Sequence, residues 1–125
     1  MNIKTSKELV DEANKEIKVL SAEEVKSSYE KGDITLIDIR DIRELWKEGT
    51  IKNSIHIPRG LLEFSFELGS PNNPGNANAD TNLVFYCAGG YRAALAAETM
   101  YKMGFKNVFN AGGFNEWVER NGEVS

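Results

Sequence analysis

The sequence predicts an α/β fold in which a central, mostly parallel five-stranded sheet carries helices on both faces. Five short apolar segments alternate with helical patterns along the 125 residues, and such alternation is typical of a parallel sheet with crossover helices. The segments at 34–40 and 83–87 are apolar nearly throughout, as expected for strands that are covered on both sides. With 41% hydrophobic residues, the chain can bury one core. We therefore expect a single domain at 17–125, preceded by an amino-terminal helical extension at 1–16.

The first half of the chain contains helical patterns with clear start and stop signals. Ser21 is followed three residues later by Glu24, which is the spacing of a capping box, and Gly32 provides the stop. Thr5 or Ser6 can cap an earlier, polar helix, with Glu8 in its first turn. The predicted elements of this half are helices at 5–16, 21–32 and 41–49 and strands at 17–21, 34–40 and 54–58.

The second half continues the alternation. A segment rich in asparagine, glycine and proline, 69–82, is predicted to be an exposed loop without chemistry of its own. The clearest amphipathic helix follows the most apolar strand, and Leu95, Met100 and Met103 are its expected core positions. The predicted elements of this half are helices at 60–68 and 91–103, strands at 83–87 and 107–111, and a glycine turn with a final helix at 112–122.

Composition and charge limit the function classes. The net charge is −4 and the basic residues are scattered, which argues against a nucleic-acid-binding face. No stretch approaches the apolar length of a membrane span, and the polar amino terminus lacks the apolar segment of a secretory signal. A single cysteine cannot form an internal disulfide, which fits a reducing compartment. We therefore expect a cytoplasmic protein without nucleic-acid or membrane partners.

The single cysteine lies where a buried strand turns into a helix. Gly89 and Gly90 follow Cys87 closely, and without Cβ atoms they let the backbone curl with its amides inward. The first turn of the next helix adds unpaired N–H groups and the positive end of the helix dipole. An anion is expected at the centre of this loop, and the same field favours the thiolate, which is the nucleophilic form. Arg92 places a positive charge in that first turn, which requires an anionic ligand or an acidic partner.

A lone cysteine at the end of an apolar strand is ordinarily a small buried hydrophobic residue. The two glycines and the arginine at a strand-to-helix turn favour the nucleophile over this alternative.

The chain from residue 17 to 122 resembles a single-domain rhodanese, a sulfurtransferase. Its loop CAGGYR matches the family pattern of cysteine, two variable residues, glycine, one variable residue and arginine. Further family segments occur in the expected order along the chain. They are Asp38–Arg40, Glu44, Gly49–Ile51, the SIHIP strand with Pro58, and Gly112–Phe114 with Trp117. Residue 50 is threonine where histidine is common in the family.

The resemblance implies a rhodanese-like fold and a reaction in which a sulfane sulfur passes through a persulfide on Cys87. The donor would be a small molecule such as thiosulfate, and the acceptor would be cyanide or a thiol, including a protein thiol. No cofactor or metal is implied, and the oligomeric state stays open. The variable positions 88 and 89 carry no cation, and Arg59 is expected to compensate. The implied substrate-binding residues are Ala88, Gly89, Gly90, Tyr91, Arg92 and Arg59, and the implied supporting residues are Asp38 and Arg40.

Two other functions compete with sulfur transfer. Cysteine-dependent phosphatases also place a thiolate in an amide-lined loop that ends in arginine, but the related families have one residue more between cysteine and arginine than the four found here. The second competitor is a non-catalytic persulfide carrier or partner-binding module of the same fold.

The remaining conspicuous residues are expected to have structural roles. His56 lacks ligand-type neighbours at metal-binding spacing. Asp38 and Arg40 are expected to form an ion pair that braces the neighbouring loops, with Glu44 as a natural partner of Arg40. Trp46 and Trp117 are expected to pack in or around the core, and Gly112 with Gly113 is expected to form a turn.

Overall fold

The computed structural model describes residues 2–120 and 122–125, and its strands form one sheet. The strands are β1 (Lys18–Val19), β2 (Thr35–Asp38), β3 (Ile55–His56), β4 (Asn82–Cys87) and β5 (Asn107–Gly113). Their spatial order is β1-β5-β4-β2-β3, and every pairing between them is parallel. The prediction of a five-stranded, mostly parallel sheet is therefore confirmed. The α-helices are α1 (Ser6–Glu16), α2 (Ala22–Lys31), α3 (Ile42–Glu48), α4 (Leu62–Phe66), α5 (Tyr91–Met103) and α6 (Phe114–Glu119).

Both faces of the sheet are covered, and β4 divides its side chains between them. Phe85 and Cys87 lie on the face covered by α4 and α5, in a cluster with Leu62, Phe66, Ala93 and Ala97. Val84 and Tyr86 lie on the face covered by α2 and α6, with Val25, Phe114 and Trp117. This division follows from the alternation of side chains along a strand. The thiol therefore belongs to the α5 side of the sheet.

Local capping signals set the ends of the helices. The capping boxes at Thr5 and Ser21 form, with Glu8 and Glu24 returning the hydrogen bond. Gly32 ends α2 in the left-handed conformation, at φ +74°. A third box, with Asp41 and Glu44, starts α3.

Helix α1 packs on the domain through a small apolar contact. Val10 and Ala13 are buried against Ala94 and Leu95 of α5. Helix α1 thus forms a second layer over α5, and the division of the chain into an extension at 1–16 and a domain at 17–125 stays a prediction.

Several local predictions were wrong. Met103 is 41% exposed, because α5 packs through its alanines and Met100 instead. Trp46 is 76% exposed on α3 and does not belong to the core. The loop 69–82 is not wholly exposed, since Pro74 and Ala77 are buried.

The predicted turn at Gly112 and Gly113 was also wrong, because β5 continues through both residues before α6 begins. In the described part of the chain, none of the helices has the length and apolar character needed to cross a membrane.

Candidate active site

The turn between β4 and α5 surrounds the sulfur of Cys87. Cys87 is the last residue of β4, and α5 begins only four positions later, at Tyr91. Gly90 closes the turn at φ +93°, a conformation that a side chain would strain. Its backbone N–H donates to Cys87 Sγ over 3.1 Å. Cys87 is only 2% exposed, so this contact lies in a largely dry environment.

The end of β5 forms the floor of this turn. A Cβ added to Gly113 would overlap the carbonyl oxygen of Ala88 and lie 3.0 Å from the Cα of Gly89. A Cβ added to Gly90 would lie 3.0 Å from the Cα of Gly112. Close backbone contact with the cysteine loop therefore requires glycine at position 113, whereas glycine is favoured at position 112 by its φ of +78°.

Arg92 is paired with Glu44 in α3. Its two terminal nitrogens, Nη1 and Nη2, donate to the two carboxylate oxygens over 2.9 and 3.0 Å. The expectation that Glu44 pairs with Arg40 was wrong, because the carboxylate is used by Arg92. The hydrogen bonds from Arg92 hold the pKa of Glu44 below its ordinary value, and the same bonds, with the nearby Cys87, raise the pKa of Arg92. An acidic partner thus explains the cation in the first turn of α5.

Asp38 and Arg40 form the expected ion pair. Arg40 Nη2 lies 2.8 Å from Asp38 Oδ2, Nε lies 3.0 Å from Oδ1, and both side chains have 0% exposure. Arg40 Nη2 also donates to the carbonyl of Gly49 over 2.7 Å. The guanidinium carbon lies 4.3 Å from the centre of the Phe114 ring, within cation–π range. The pair braces the segment after α3, on the α6 side of the sheet.

A group of hydroxyls extends this cluster. Thr50 Oγ1 donates to Asp38 Oδ2 over 3.0 Å and lies 2.7 Å from Tyr86 Oη. Ser54 Oγ is 2.9 Å from the same phenol oxygen. Burial raises the pKa of Tyr86 to about 12. Burial also acts to raise the pKa of Asp38, but the hydrogen bonds from Arg40 prevail and hold it below its ordinary value.

The structure does not bring all the predicted site residues together. Asp38 and Tyr86 are register partners whose side chains share one face, whereas Cys87 points to the opposite face. Any effect of the ion pair on the loop therefore passes through packing. Arg59 donates to Glu63 over 2.9 Å and to Thr99 over 3.1 Å, and none of its described hydrogen bonds reaches the loop.

Tyr91 and the first loop positions border solvent. The Tyr91 ring is 70% exposed and lies beside Gly89, where an added Cβ would be 3.4 Å from it. Ala88 is partly buried and Gly89 is exposed. These three residues form the outer rim of the loop.

Two other expectations concern structural residues. His56 Nε2 lies 2.7 Å from the carbonyl oxygen of Arg40, so the ring links β3 to the end of β2. Trp117 is buried and packs edge-on against Tyr29, with ring centres 5.2 Å apart.

The loop partners Glu44 and Gly113 were not identified as such from the sequence. Both stood in recognised segments, but neither was assigned to the loop. Glu44 and Arg92 are 48 residues apart, and no local pattern joins them. The signal for Gly113 was its glycine neighbour at the end of an apolar strand.

The rhodanese-like domain family matches residues 21–120. A curated mouse protein, thiosulfate sulfurtransferase/rhodanese-like domain-containing protein 3, is 32% identical over 105 residues, which cover 76% of this chain and 64% of the mouse protein. The chain thus spans less than two thirds of that relative's length.

Two solved structures are similar over most of the chain. A protein of unknown function from Rhodopseudomonas palustris, described as a possible tyrosine phosphatase, superposes with a TM-score of 0.90 at 38% identity and covers 100% of this chain and 97% of its own. The polysulfide-sulfur transferase homodimer of Wolinella succinogenes superposes with a TM-score of 0.76 at 33% identity and covers 95% of this chain and 85% of its own. Since the family match spans four fifths of the sequence, the chain belongs to the rhodanese-like domain family and is similar to sulfurtransferases.

Proposed function

We propose that this protein is a sulfurtransferase that carries sulfane sulfur on Cys87. The observation that carries the proposal is the hydrogen bond from Gly90 N–H to Cys87 Sγ, at 3.1 Å, within the turn that leads into α5. The N–H groups of the first turn of α5 follow directly in the chain and have no acceptor within the helix. An outer sulfur bound to Sγ would lie among them as an anion, where fixed N–H donors stabilise it.

The reaction has two half-reactions. The Cys87 thiolate attacks the outer sulfur of a donor such as thiosulfate, the new S–S bond forms, and sulfite leaves with the electron pair of the old one. Cyanide or an external thiolate then attacks the terminal sulfur of the persulfide and restores the Cys87 thiolate. No proton leaves carbon or oxygen, so no general base is needed. Since the chain has one cysteine, the acceptor comes from outside.

The electrostatics of the loop bear on the choice of donor. Arg92 is bound to Glu44 through two hydrogen bonds, and positions 88 and 89 carry no cation. A dianion such as thiosulfate would therefore gain little from side-chain charge and would rely on the amides. The similar Wolinella protein is named for polysulfide, so polysulfide is a donor to test beside thiosulfate.

The test is sulfur loading and transfer by the wild type and by Cys87→Ser. We expect intact mass spectrometry to find one added sulfur atom on the wild type after incubation with thiosulfate or polysulfide, and none on the variant. Transfer to cyanide should fall by about 10³-fold or more, since the nucleophile is lost. The serine hydroxyl can still accept from Gly90 N–H, so the fold should persist. A variant that retains most of the transfer rate would refute Cys87 as the nucleophile.

Two alternatives are tested with the same samples. The description of the Rhodopseudomonas protein favours a phosphatase assay, and hydrolysis of p-nitrophenyl phosphate without sulfur loading would replace our proposal. A persulfide carrier would load sulfur equally well. It would release sulfur slowly to cyanide and quickly to a specific protein thiol.

A further inference from the structure

Asn110, in the middle of β5, is a buried polar side chain that the reaction above does not use. Its exposure is 3%. A buried amide is costly unless its hydrogen-bonding groups are satisfied, so its partners indicate what it does. Two other buried polar side chains, Asp38 and Arg40, pair with each other on the opposite face of the sheet. Asn110 instead faces the cysteine loop.

The amide of Asn110 connects three separate parts of the chain. Nδ2 donates to the carbonyl of Gly90 over 3.0 Å and to Asn14 Oδ1 over 3.2 Å. Oδ1 accepts from the backbone N–H of Gly112 over 2.8 Å. The two backbone partners fix the orientation of the amide, because a carbonyl needs the NH₂ group and an N–H needs the oxygen. One side chain thus holds the cysteine loop, its glycine floor and the last turn of α1.

The loop needs such a hydrogen bond because two of its residues are glycines. Gly89 and Gly90 are consecutive, and glycine has more backbone freedom than any other residue. In a trans peptide the C=O and the following N–H point in opposite directions. Holding the Gly90 carbonyl, which also accepts from Ala94 N–H over 3.1 Å, therefore aims the Tyr91 N–H out of the helix toward the anion position.

We propose that Asn110 is a positioning residue for the persulfide site, which fixes the Gly90–Tyr91 peptide so that the Tyr91 N–H faces the position of the outer sulfur on Cys87. The proposal rests on the proposed function for its role in transfer, but the orientation of the loop can be measured without transfer. Asn14 contributes as the third partner, and through it α1 is linked to the reacting loop.

The experiment compares Asn110→Ala with Asn107→Ala. Asn107 lies at the other end of β5, where its Nδ2 donates to the carbonyl of Asp80 over 2.9 Å, so its loss removes a similar bond far from the sulfur. The first readout is alkylation of Cys87 by iodoacetamide at pH 7, divided by the rate at pH 10. This ratio reports ionisation of the thiol rather than access to it. Arg92 and its partner Glu44, the charged pair beside the thiol, are present in every variant.

We expect Asn110→Ala to lower the pH 7 to pH 10 ratio by about fivefold or more and to slow sulfur transfer by about 10–100-fold, since misaligned N–H donors lose most of their effect. Asn107→Ala should leave both unchanged. If Asn110→Ala does not fold, the experiment uses Asn110→Ser instead. The serine hydroxyl can keep one of the three hydrogen bonds of the amide, so we expect an alkylation ratio and a transfer rate between those of the wild type and of a full loss.

The outcomes separate the two proposals. Folded Asn110 variants with the alkylation ratio and transfer rate of Asn107→Ala would overturn the positioning role. A wild type that transfers no sulfur, together with a lowered ratio in the Asn110 variants, would support the positioning role and refute the proposed function.

Discussion

Two turns leave the same edge of the sheet, one after β2 and one after β4. They differ in whether their charges and hydrogen-bond donors are already paired within the protein. After β2, Asp38 and Arg40 neutralise each other in a cluster with 0% exposure. After β4, the Cys87 loop supplies N–H groups, and its nearby cation is already bound to Glu44. In the first turn every strong charge has its counterpart within the protein. In the second, donors remain for a charge that arrives with the substrate.

The two turns differ in which groups form their hydrogen bonds, side chains after β2 and backbone N–H groups after β4. Side chains make the cluster after β2, so substitutions there should change stability. Backbone groups make the cysteine loop, so substitutions that move the backbone should change activity.

Arg40→Met should reduce the free energy of unfolding by about 3–5 kcal/mol, because it leaves the Asp38 carboxylate buried without its cation. Chemical denaturation monitored by circular dichroism measures the loss. The control is Arg43→Met, whose pair with Asp41 is exposed to solvent, so this substitution should leave the stability nearly unchanged. Adding Asp38→Asn to Arg40→Met should restore part of the loss. A folded Arg40→Met protein with normal stability but no transfer would place the pair in catalysis instead.

Gly113→Ala should slow sulfur transfer by about 10²-fold, since the new methyl group would overlap the Ala88 carbonyl and displace the loop. The Gly60→Ala variant is the matched control, because a Cβ at Gly60 meets nothing within 4 Å. Steady-state transfer to cyanide distinguishes the two. Equal rates in both variants would show that the floor does not set the geometry of the loop.

Glu44→Gln should lower KM for thiosulfate by about 3–10-fold, because it unmasks the charge of Arg92 beside the incoming dianion. The dependence on cyanide should stay within about twofold, because the second substrate carries less charge. Glu48→Gln in the same helix, whose carboxylate lies 4.0 Å from Arg40, is the control. A rise in KM would mean that Glu44 holds Arg92 in its working position rather than masking it.

The sequence predicted the fold well because its signals are local. The capping box at Ser21, the helix cap at Thr5, the stop at Gly32 and the apolar run into Cys87 each depend on residues close together in the chain, and each formed as expected. The cysteine loop was found for the same reason, since strand, glycines and helix are contiguous.

The remaining features depend on contacts between distant segments. Arg92 could have met several carboxylates, and only the placement of α3 selects Glu44. Asn110 resembled an ordinary polar residue in a strand, and its role depends on α1 and the loop meeting there. Met103 was assigned to the core from helical periodicity, but the neighbours of α5 favour its alanine face.

The glycines of the site differ in how freely they could mutate. Gly90 and Gly112 have φ values of +93° and +78°, and Gly113 has no room for a methyl group. Gly89 is exposed, and a side chain there would first touch the Tyr91 ring at ordinary contact distance. A side chain can therefore be added to the rim of the loop at position 89, while the glycines next to the sulfur stay unchanged.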